Sequence, residues 1–198
     1  MLEKINSPKD LKNLSIQELN QVSNEVSELI KDTIEEHGGH YSSPLGVVDL
    51  TVALHHCYDS PNDKIVWDVG HQAYAHKILT GRRDSFKTLR QKDGISGFLK
   101  RSESVHDAIG AGHSTTSISS ALGIAHARDY NKQDFNVVSI IGDGAMTGGM
   151  AYEAMNNLGF HRTQQTIILN DNSKSISASV GALSKYLSKI ITNPTYNK

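Results

Sequence analysis

Apolar residues recur every three or four positions between residues 19 and 34, a spacing that predicts an amphipathic helix. Ser15 and Glu18 have the spacing of a capping box, so the helix is expected to begin there, and Gly38-Gly39 is expected to end it. Further helices are predicted over residues 43–58, 71–80, 117–130, 146–158 and 180–191. Residues 81–113 are polar and glycine-rich and are predicted to be mostly loops, with a weak helical signal at 86–90.

Three short runs rich in β-branched residues, over 64–69, 136–141 and 165–169, predict strands. The runs are apolar throughout instead of alternating, which is typical of strands buried on both faces of a parallel sheet. Strands and helices also alternate along the chain. The pattern therefore predicts an α/β fold, a parallel sheet with helices on both faces, formed by residues 1–198 as a single domain.

Composition narrows the possible partners. The 198 residues carry 20 basic and 21 acidic side chains, so no overall positive field favours nucleic acid as a partner. No apolar run approaches the roughly 18 residues that span a bilayer, and the first residues lack the apolar core of a signal peptide. Cys57 is the single cysteine, which excludes an intrachain disulfide. A cytoplasmic protein without membrane association is expected.

Compact polar groups follow each predicted strand. Gly70-His71 follows the first, residues 142–145 (GDGA) the second, and residues 170–172 (NDN) the third. Ligands of open parallel sheets bind beyond the carboxyl ends of the strands, so these groups are expected to lie together.

The glycines at 142 and 144 allow a sharp turn and a close approach to a ligand, and the N-terminus of the following helix suits a phosphate. The carboxylate of Asp143 would repel a bare phosphate, and a divalent cation between the two removes this conflict. Mg²⁺ prefers oxygen ligands and is often shared between a few protein groups and substrate phosphates. Asn172 would bring a second protein oxygen from the next strand end.

The spacing of GDG and NDN resembles the diphosphate- and Mg²⁺-binding motif of thiamine-diphosphate enzymes. Six longer segments together resemble the N-terminal part of the 1-deoxy-D-xylulose-5-phosphate synthase family, namely residues 67–86, 89–98, 100–104, 110–119, 142–157 and 170–177. The match covers nearly the whole chain. The resemblance implies the thiamine-diphosphate-binding fold of the pyrophosphate-binding type, with thiamine diphosphate and Mg²⁺ as cofactors.

The resemblance also implies roles for particular residues. The implied metal ligands are Asp143, Asn172 and the backbone carbonyl of Lys174. The implied cofactor-binding residues are His71, Gly112, His113, Ser114, Gly144, Ala145 and Asn172. His40 and His71 are the implied catalytic residues, with imidazoles whose pKa suits proton transfer near neutral pH. Lys174 stands where the family usually has Met, and Gly148 is another departure from its pattern.

The implied reaction is the decarboxylation of pyruvate and transfer of the two-carbon unit to glyceraldehyde 3-phosphate, the first step of the non-mevalonate route to isoprenoids. The family's pyrimidine-binding and C-terminal domains have no counterpart in these residues. The implied assembly is a homodimer, or a complex with a partner chain that carries the pyrimidine-binding domain. The 198-residue chain is expected to have little or no activity alone.

Other functions remain open at this point. The chain could be a non-catalytic or split-subunit cofactor-binding fragment, or the N-terminal subunit of a transketolase. An NAD-binding domain is a third alternative, because Gly142, Gly144 and Gly148 partly imitate a dinucleotide-binding loop and Asp171 follows the next strand. The spacing is not GxGxxG, however, and Asp143 would face an unmetallated pyrophosphate.

Several residues are given structural interpretations. His55-His56 are expected to be packing or surface residues, and Trp67 is expected in the core. The basic pairs Arg82-Arg83 and Lys100-Arg101 are expected on a solvated face, with binding of a substrate phosphate as the alternative.

Overall fold

The structure, a computed structural model, describes residues 1–171 and has an α/β fold built on a parallel sheet. The strands are β1 (Lys64–Trp67), β2 (Val137–Gly142) and β3 (Thr166–Asn170), in that order across the sheet. Ile65 lies opposite Val138 of β2, and Ile140 lies opposite Ile168 of β3. The three predicted strands and the parallel sheet are confirmed.

Both faces of the sheet are covered, as the uniformly apolar strands predict. On one face, Ile65, Trp67 and Ile140 pack with Leu54 and Ala73 from the helical segments above them. The opposite face is covered by small residues of the helices that follow β1 and β2, among them Ala121, Ala125, Ala151 and Ala154. Small side chains let these helices approach the strands closely. Trp67 is fully buried, as expected.

The helices are α1 (Ile16–His37), α2 (Ser42–Leu45), α3 (Val48–Cys57), α4 (Tyr74–Lys77), α5 (Ser117–Tyr130) and α6 (Gly149–His161). Single 3₁₀ turns cover Leu2–Lys4, Pro8–Leu11, Phe86–Thr88 and Ala145–Thr147. The predicted capping box begins α1, because the Ser15 hydroxyl accepts from the Glu18 amide and the Glu18 carboxylate accepts from the Ser15 amide at 2.8 Å. Among residues 1–171, no helix has both the length and the apolar character to cross a bilayer.

Three predicted helices differ from the structure. The helix over 43–58 is divided into α2 and α3 at Gly46-Val47, where Val47 leaves helical geometry to bury its side chain against the sheet. The helix over 71–80 is regular only in α4 and then widens into a turn over Ile78–Arg82 that contains Gly81 at φ 87°. The helix predicted at 146 begins at Gly149, because Gly148 is extended. The helix predicted over 180–191 lies outside the described residues.

Residues 81–113 are mostly loops, as predicted, and a buried ionic cluster holds them in place. The cluster consists of Lys77, Arg82, Glu103 and Asp107. Arg82 donates to both oxygens of Asp107 at 2.7 and 2.8 Å, and Lys77 donates to Glu103 at 2.6 Å. The Asp107 carboxylate also accepts from the Lys100 amide at 2.8 Å. Removing one partner of such a buried ion pair lowers the free energy of unfolding by about 3–5 kcal/mol.

The interpretation of Arg82-Arg83 as a solvated pair or a phosphate site is therefore wrong. Arg82 is buried in the ionic cluster, and Arg83 donates to the backbone carbonyls of Leu2 and Ile5, which fixes the N-terminal segment. Lys100 and Arg101 are exposed, as expected.

A chain of imidazoles extends from the ionic cluster. His76 Nε2 lies 3.3 Å from Asp107, and His76 Nδ1 lies 2.9 Å from His55 Nε2. Burial lowers the pKa of both histidines, so both rings are neutral at neutral pH. With His76 donating to the carboxylate, its Nδ1 accepts from His55. His55 is fully buried, which confirms its interpretation as a packing residue.

Acid is expected to destabilise the fold before the carboxylates titrate. Burial, assisted by repulsion from His76 once that ring is protonated, lowers the pKa of His106 to about 4, and burial lowers the pKa values of His55 and His76 as well. The unfolded chain then binds more protons than the folded chain as the pH falls from about 6.5 to about 4. Burial alone would raise the pKa of Asp107, but hydrogen bonds from His76 and Arg82 overcome this effect and lower it. The stability contributed by the ionised Asp107 carboxylate is therefore lost only at more acidic pH.

Urea unfolding between pH 7 and 4.5 measures this effect. The free energy of unfolding should fall by up to about 1.4 kcal/mol per pH unit for each proton taken up. His106→Gln, which can keep a hydrogen bond to Ser60, should make the slope shallower. The matched control is His161→Gln on the exposed surface of α6. A slope that His106→Gln leaves unchanged would contradict the account.

Candidate functional site

The carboxyl ends of the three strands meet at one edge of the sheet, with polar groups at each tip. At the tips of β2 and β3, the Asp143 amide donates to the Asn170 carbonyl at 3.2 Å, and Gly142 pairs with Asn170. Asp143 is half-buried there. The structure therefore places Asp143 beside the end of β3, while Asn172 and Lys174 lie outside the described residues.

The turn after β2 differs from the predicted strand-to-helix junction. Ala145 begins a 3₁₀ turn in which the Thr147 amide donates to the Gly144 carbonyl at 3.3 Å and the Gly148 amide to the Ala145 carbonyl at 3.2 Å. The N-terminus of α6 is displaced to Gly149 by this turn. The exposed Gly144 and its neighbour Ala145 therefore face the site as a tight turn instead of as the first residues of the helix.

At the tip of β1, the carboxylate of Asp68 is 1% exposed and binds a distant loop. It accepts hydrogen bonds from the Thr115 amide at 2.8 Å and from the Ser117 amide at 3.0 Å. These bonds fix the start of α5 and the loop before it at the edge of the sheet. The sequence analysis missed Asp68. A polar residue directly after a buried strand was an available signal, but its partners lie 47 and 49 residues away.

Two glycines let the loops of this edge approach one another. Gly70 has φ 86°, and a Cβ on it would lie 2.7 Å from the Ala111 Cβ. A Cβ on Gly148 would lie 2.1 Å from the Thr115 methyl. The loop before α5 thus packs between the tips of β1 and β2.

Gly112, His113 and Ser114 form the exposed part of this same loop. Gly112 has φ 152°, and His113 Nδ1 lies 3.2 Å from the Ser114 carbonyl. The structure therefore brings this predicted segment to the edge that carries Asp143, Gly144 and Ala145.

His40 and His71 form a pair beside the tip of β1. Their ring centroids are 5.1 Å apart, and the Phe98 ring lies 6.1 Å from the His40 ring. The His40 amide donates to the buried Tyr74 hydroxyl at 3.4 Å. Nδ1 of each imidazole is buried and has no hydrogen-bond partner among residues 1–171. Each ring therefore keeps one buried nitrogen without a hydrogen-bond partner among the described residues.

Electrostatics keep these two imidazoles neutral at neutral pH. Burial lowers the pKa of His40, and the positive charge of Arg90 lowers it further. Burial also lowers the pKa of His71, assisted by His40 and opposed by the negative charge of Asp68. A neutral imidazole can accept a proton and then return it, which is what general acid–base catalysis requires.

The described residues do not form a complete protein cage for a metal. Within residues 1–171, no three His, Cys, Asp or Glu side chains are grouped closely enough to hold an ion. A cation at Asp143 would therefore need further oxygens, from the chain beyond residue 171 or from a ligand. This donor set fits Mg²⁺, which is commonly shared between one or two protein groups and phosphate oxygens.

Comparisons with known proteins give the same description for a family model and for several relatives. The family model described as 1-deoxy-D-xylulose-5-phosphate synthase matches residues 2–198. Proteins of that name from Caldanaerobacter subterraneus and Halothermothrix orenii are 58% and 56% identical over 198 residues, and the one from Clostridium beijerinckii is 55% identical. The chain spans 31–32% of the length of these relatives, about a third.

A solved structure shares the fold. The crystal structure of transketolase from Campylobacter jejuni superposes with a TM-score of 0.76 at 21% identity. The match covers 88% of this chain and 32% of the transketolase chain.

The contact between Thr115 and Gly148 predicts a compensating pair of substitutions. Gly148→Ala should lower stability by about 1–3 kcal/mol, because the new methyl group overlaps the Thr115 methyl. Thr115→Ser removes that methyl, so the double variant should recover most of the loss. Thermal unfolding of the two single variants and the double variant measures the coupling.

Gly149→Ala is the matched control, because a Cβ at Gly149 meets open space. The packing account fails if Gly148→Ala is no more destabilising than Gly149→Ala, or if the double variant shows only the sum of the single effects.

Proposed function

The chain belongs to the 1-deoxy-D-xylulose-5-phosphate synthase family, and from this premise we propose that it forms the diphosphate- and Mg²⁺-binding part of a thiamine-diphosphate-dependent transferase. One observation carries the proposal. The loop 112–115, the turn 142–145 and the pair His40 and His71 converge on the carboxyl edge of a parallel sheet.

The proposed reaction joins the two-carbon unit of pyruvate to glyceraldehyde 3-phosphate, with loss of CO₂, to give 1-deoxy-D-xylulose 5-phosphate. The bond between the carboxylate and the carbonyl carbon of pyruvate breaks, and a new bond forms to the aldehyde carbon of the second substrate. Thiamine diphosphate, when bound, supplies the electron sink for the electron pair left by decarboxylation.

The site residues divide by the chemistry of their groups. Asp143 offers a carboxylate oxygen to the cation, and we assign Asn172 and the Lys174 carbonyl to the same ion. Backbone groups of the turn at Gly144 and Ala145 are suited to the diphosphate, since the exposed glycine admits close approach. The loop of Gly112, His113 and Ser114 forms the opposite wall.

His40 and His71 are proposed to hold and move protons at their imidazole rings. Their Nδ1 atoms lack protein partners within residues 1–171, and burial keeps both rings neutral. Either ring can therefore accept a proton from a reacting hydroxyl and return it to the growing product. The Phe98 ring packs edge-on beside His40, with the ring centroids 6.1 Å apart.

Residues 1–198 are proposed to act as one domain whose site is completed by the family's pyrimidine-binding domain. That domain would come from a partner chain, or from a longer chain within a homodimer. The proposal agrees with the extent of the match, which covers about a third of the relatives' length. We accordingly propose little or no turnover by these residues alone.

Titration with thiamine diphosphate tests the proposed function. Binding should quench or shift the fluorescence of Trp67, which lies at the end of β1, and should require Mg²⁺. Asp143→Asn should weaken Mg²⁺-dependent binding at least tenfold while the fold is retained, because the residue lies in a turn at the surface of the edge.

Asp134→Asn is the matched control, since Asp134 is exposed before β2, at the opposite edge of the sheet. It should leave the affinity within twofold of the unmodified chain. Unchanged affinity in Asp143→Asn overturns the metal assignment, and binding of NADH without metal in place of thiamine diphosphate overturns the proposed function.

A further inference from the structure

We infer that Asp68 is a positioning residue of the cofactor site, which holds the loop of Gly112, His113 and Ser114 and the adjacent His71 in fixed relation to each other. The inference deepens the proposed function and rests on it for the identity of the ligand.

Asp68 uses both carboxylate oxygens to bind one backbone segment. Oδ1 accepts from the Thr115 amide and Oδ2 from the Ser117 amide, at 2.8 and 3.0 Å. Thr116, the residue before α5, provides no side-chain cap, so this distant carboxylate serves the first turn of the helix. Hydrogen bonds to an ionised acceptor and the positive end of the helix dipole together offset the cost of burying the charge.

The backbone on both sides of these bonds is strained. Val69, directly after Asp68, has φ 59°, and Thr115, whose amide Asp68 binds, has φ 69°. Both are β-branched residues in the left-handed region, where each costs about 1–3 kcal/mol and persists only if its surroundings enforce it. Val69 precedes Gly70-His71, and Thr115 follows Ser114. The Asp68 carboxylate thus holds the strained Thr115 directly, and the strained Val69 follows Asp68 in the chain.

Asp68 also acts on His71 by its charge. Burial lowers the His71 pKa, and among residues 1–171 His40 lowers it further while the negative charge of Asp68 opposes both effects. Removing that charge should therefore make the His71 ring harder to protonate. A residue that only stabilised the fold would have no such effect.

Asp63 provides a matched control, because it flanks β1 (Lys64–Trp67) as Asp68 does. It lies at the other end of β1, is also buried, and accepts from the backbone amides of Asp59 and Asn136 at 2.7 Å each. Each aspartate therefore accepts from two backbone amides, and Asp63 also accepts from the Asn136 side-chain amide at 3.1 Å. Asp63 serves the edge of the sheet opposite the site.

The experiment compares Asp68→Asn with Asp63→Asn in the 198-residue chain. Both should unfold at lower temperature. Asp68→Asn alone should weaken the Mg²⁺-dependent affinity for thiamine diphosphate at least tenfold and lower the His71 pKa measured by NMR titration of its imidazole. Asp63→Asn should leave the thiamine diphosphate affinity within about twofold, and the His71 pKa within about 0.2 pH units, of the values for the unmodified chain.

Equal effects of the two variants on affinity and on His71, or no effect of Asp68→Asn on either, would overturn the inference. If Asp68→Asn does not fold, the Asp68→Asn/Thr115→Gly pair relieves the strain at residue 115 and allows the same measurements. If the unmodified chain does not bind thiamine diphosphate, the proposed function fails. The His71 titration and the hydrogen exchange of the Thr115 and Ser117 amides then still test the positioning role without any ligand.

Discussion

Parallel pairing of three strands is the constraint on which the site depends. In a parallel sheet every strand ends at the same edge, so Asp68, Asp143 and Asn170 lie at neighbouring tips although 102 residues separate the first from the last. The strands can pair in this way because both faces are buried under helices. The crossover helices α5 and α6 begin near the same edge, and this brings the loops before them to the strand tips.

The loop between α4 and α5 contributes to the site only because it is anchored twice. The buried ionic cluster holds its middle through Glu103 and Asp107, and Asp68 holds its end. Phe98, before the first anchor, lies beside His40, and Ala111, between the two anchors, lies against Gly70. A loop anchored in this way loses less conformational entropy when a ligand binds than an unanchored loop would, because it is already ordered in the folded protein.

Regular patterns in the sequence were sufficient to predict the strands, the capping box of α1, the burial of Trp67 and the fold class. Interactions between distant residues were not readable in the same way. In the sequence, Arg82 resembles a surface residue beside Arg83. It is buried because it pairs with Asp107, which lies 25 residues further along the chain. Asp68 and Gly148 owe their roles to the loop around Thr115, which only the folded chain brings to them. Family resemblance, instead of periodicity, supplied the roles of His40 and His71, and those roles stay predictions.

The most direct test of the account is a map of amide chemical shifts in the 198-residue chain when thiamine diphosphate is added with and without Mg²⁺. The account predicts that shifts concentrate at residues 112–117 and 142–148 and at His71, and that they require Mg²⁺. Shifts that are independent of the metal would contradict it. So would shifts confined to another part of the surface, such as the groove of about 480 Å³ beside α1 that is lined by Glu25, Asp32 and Arg83.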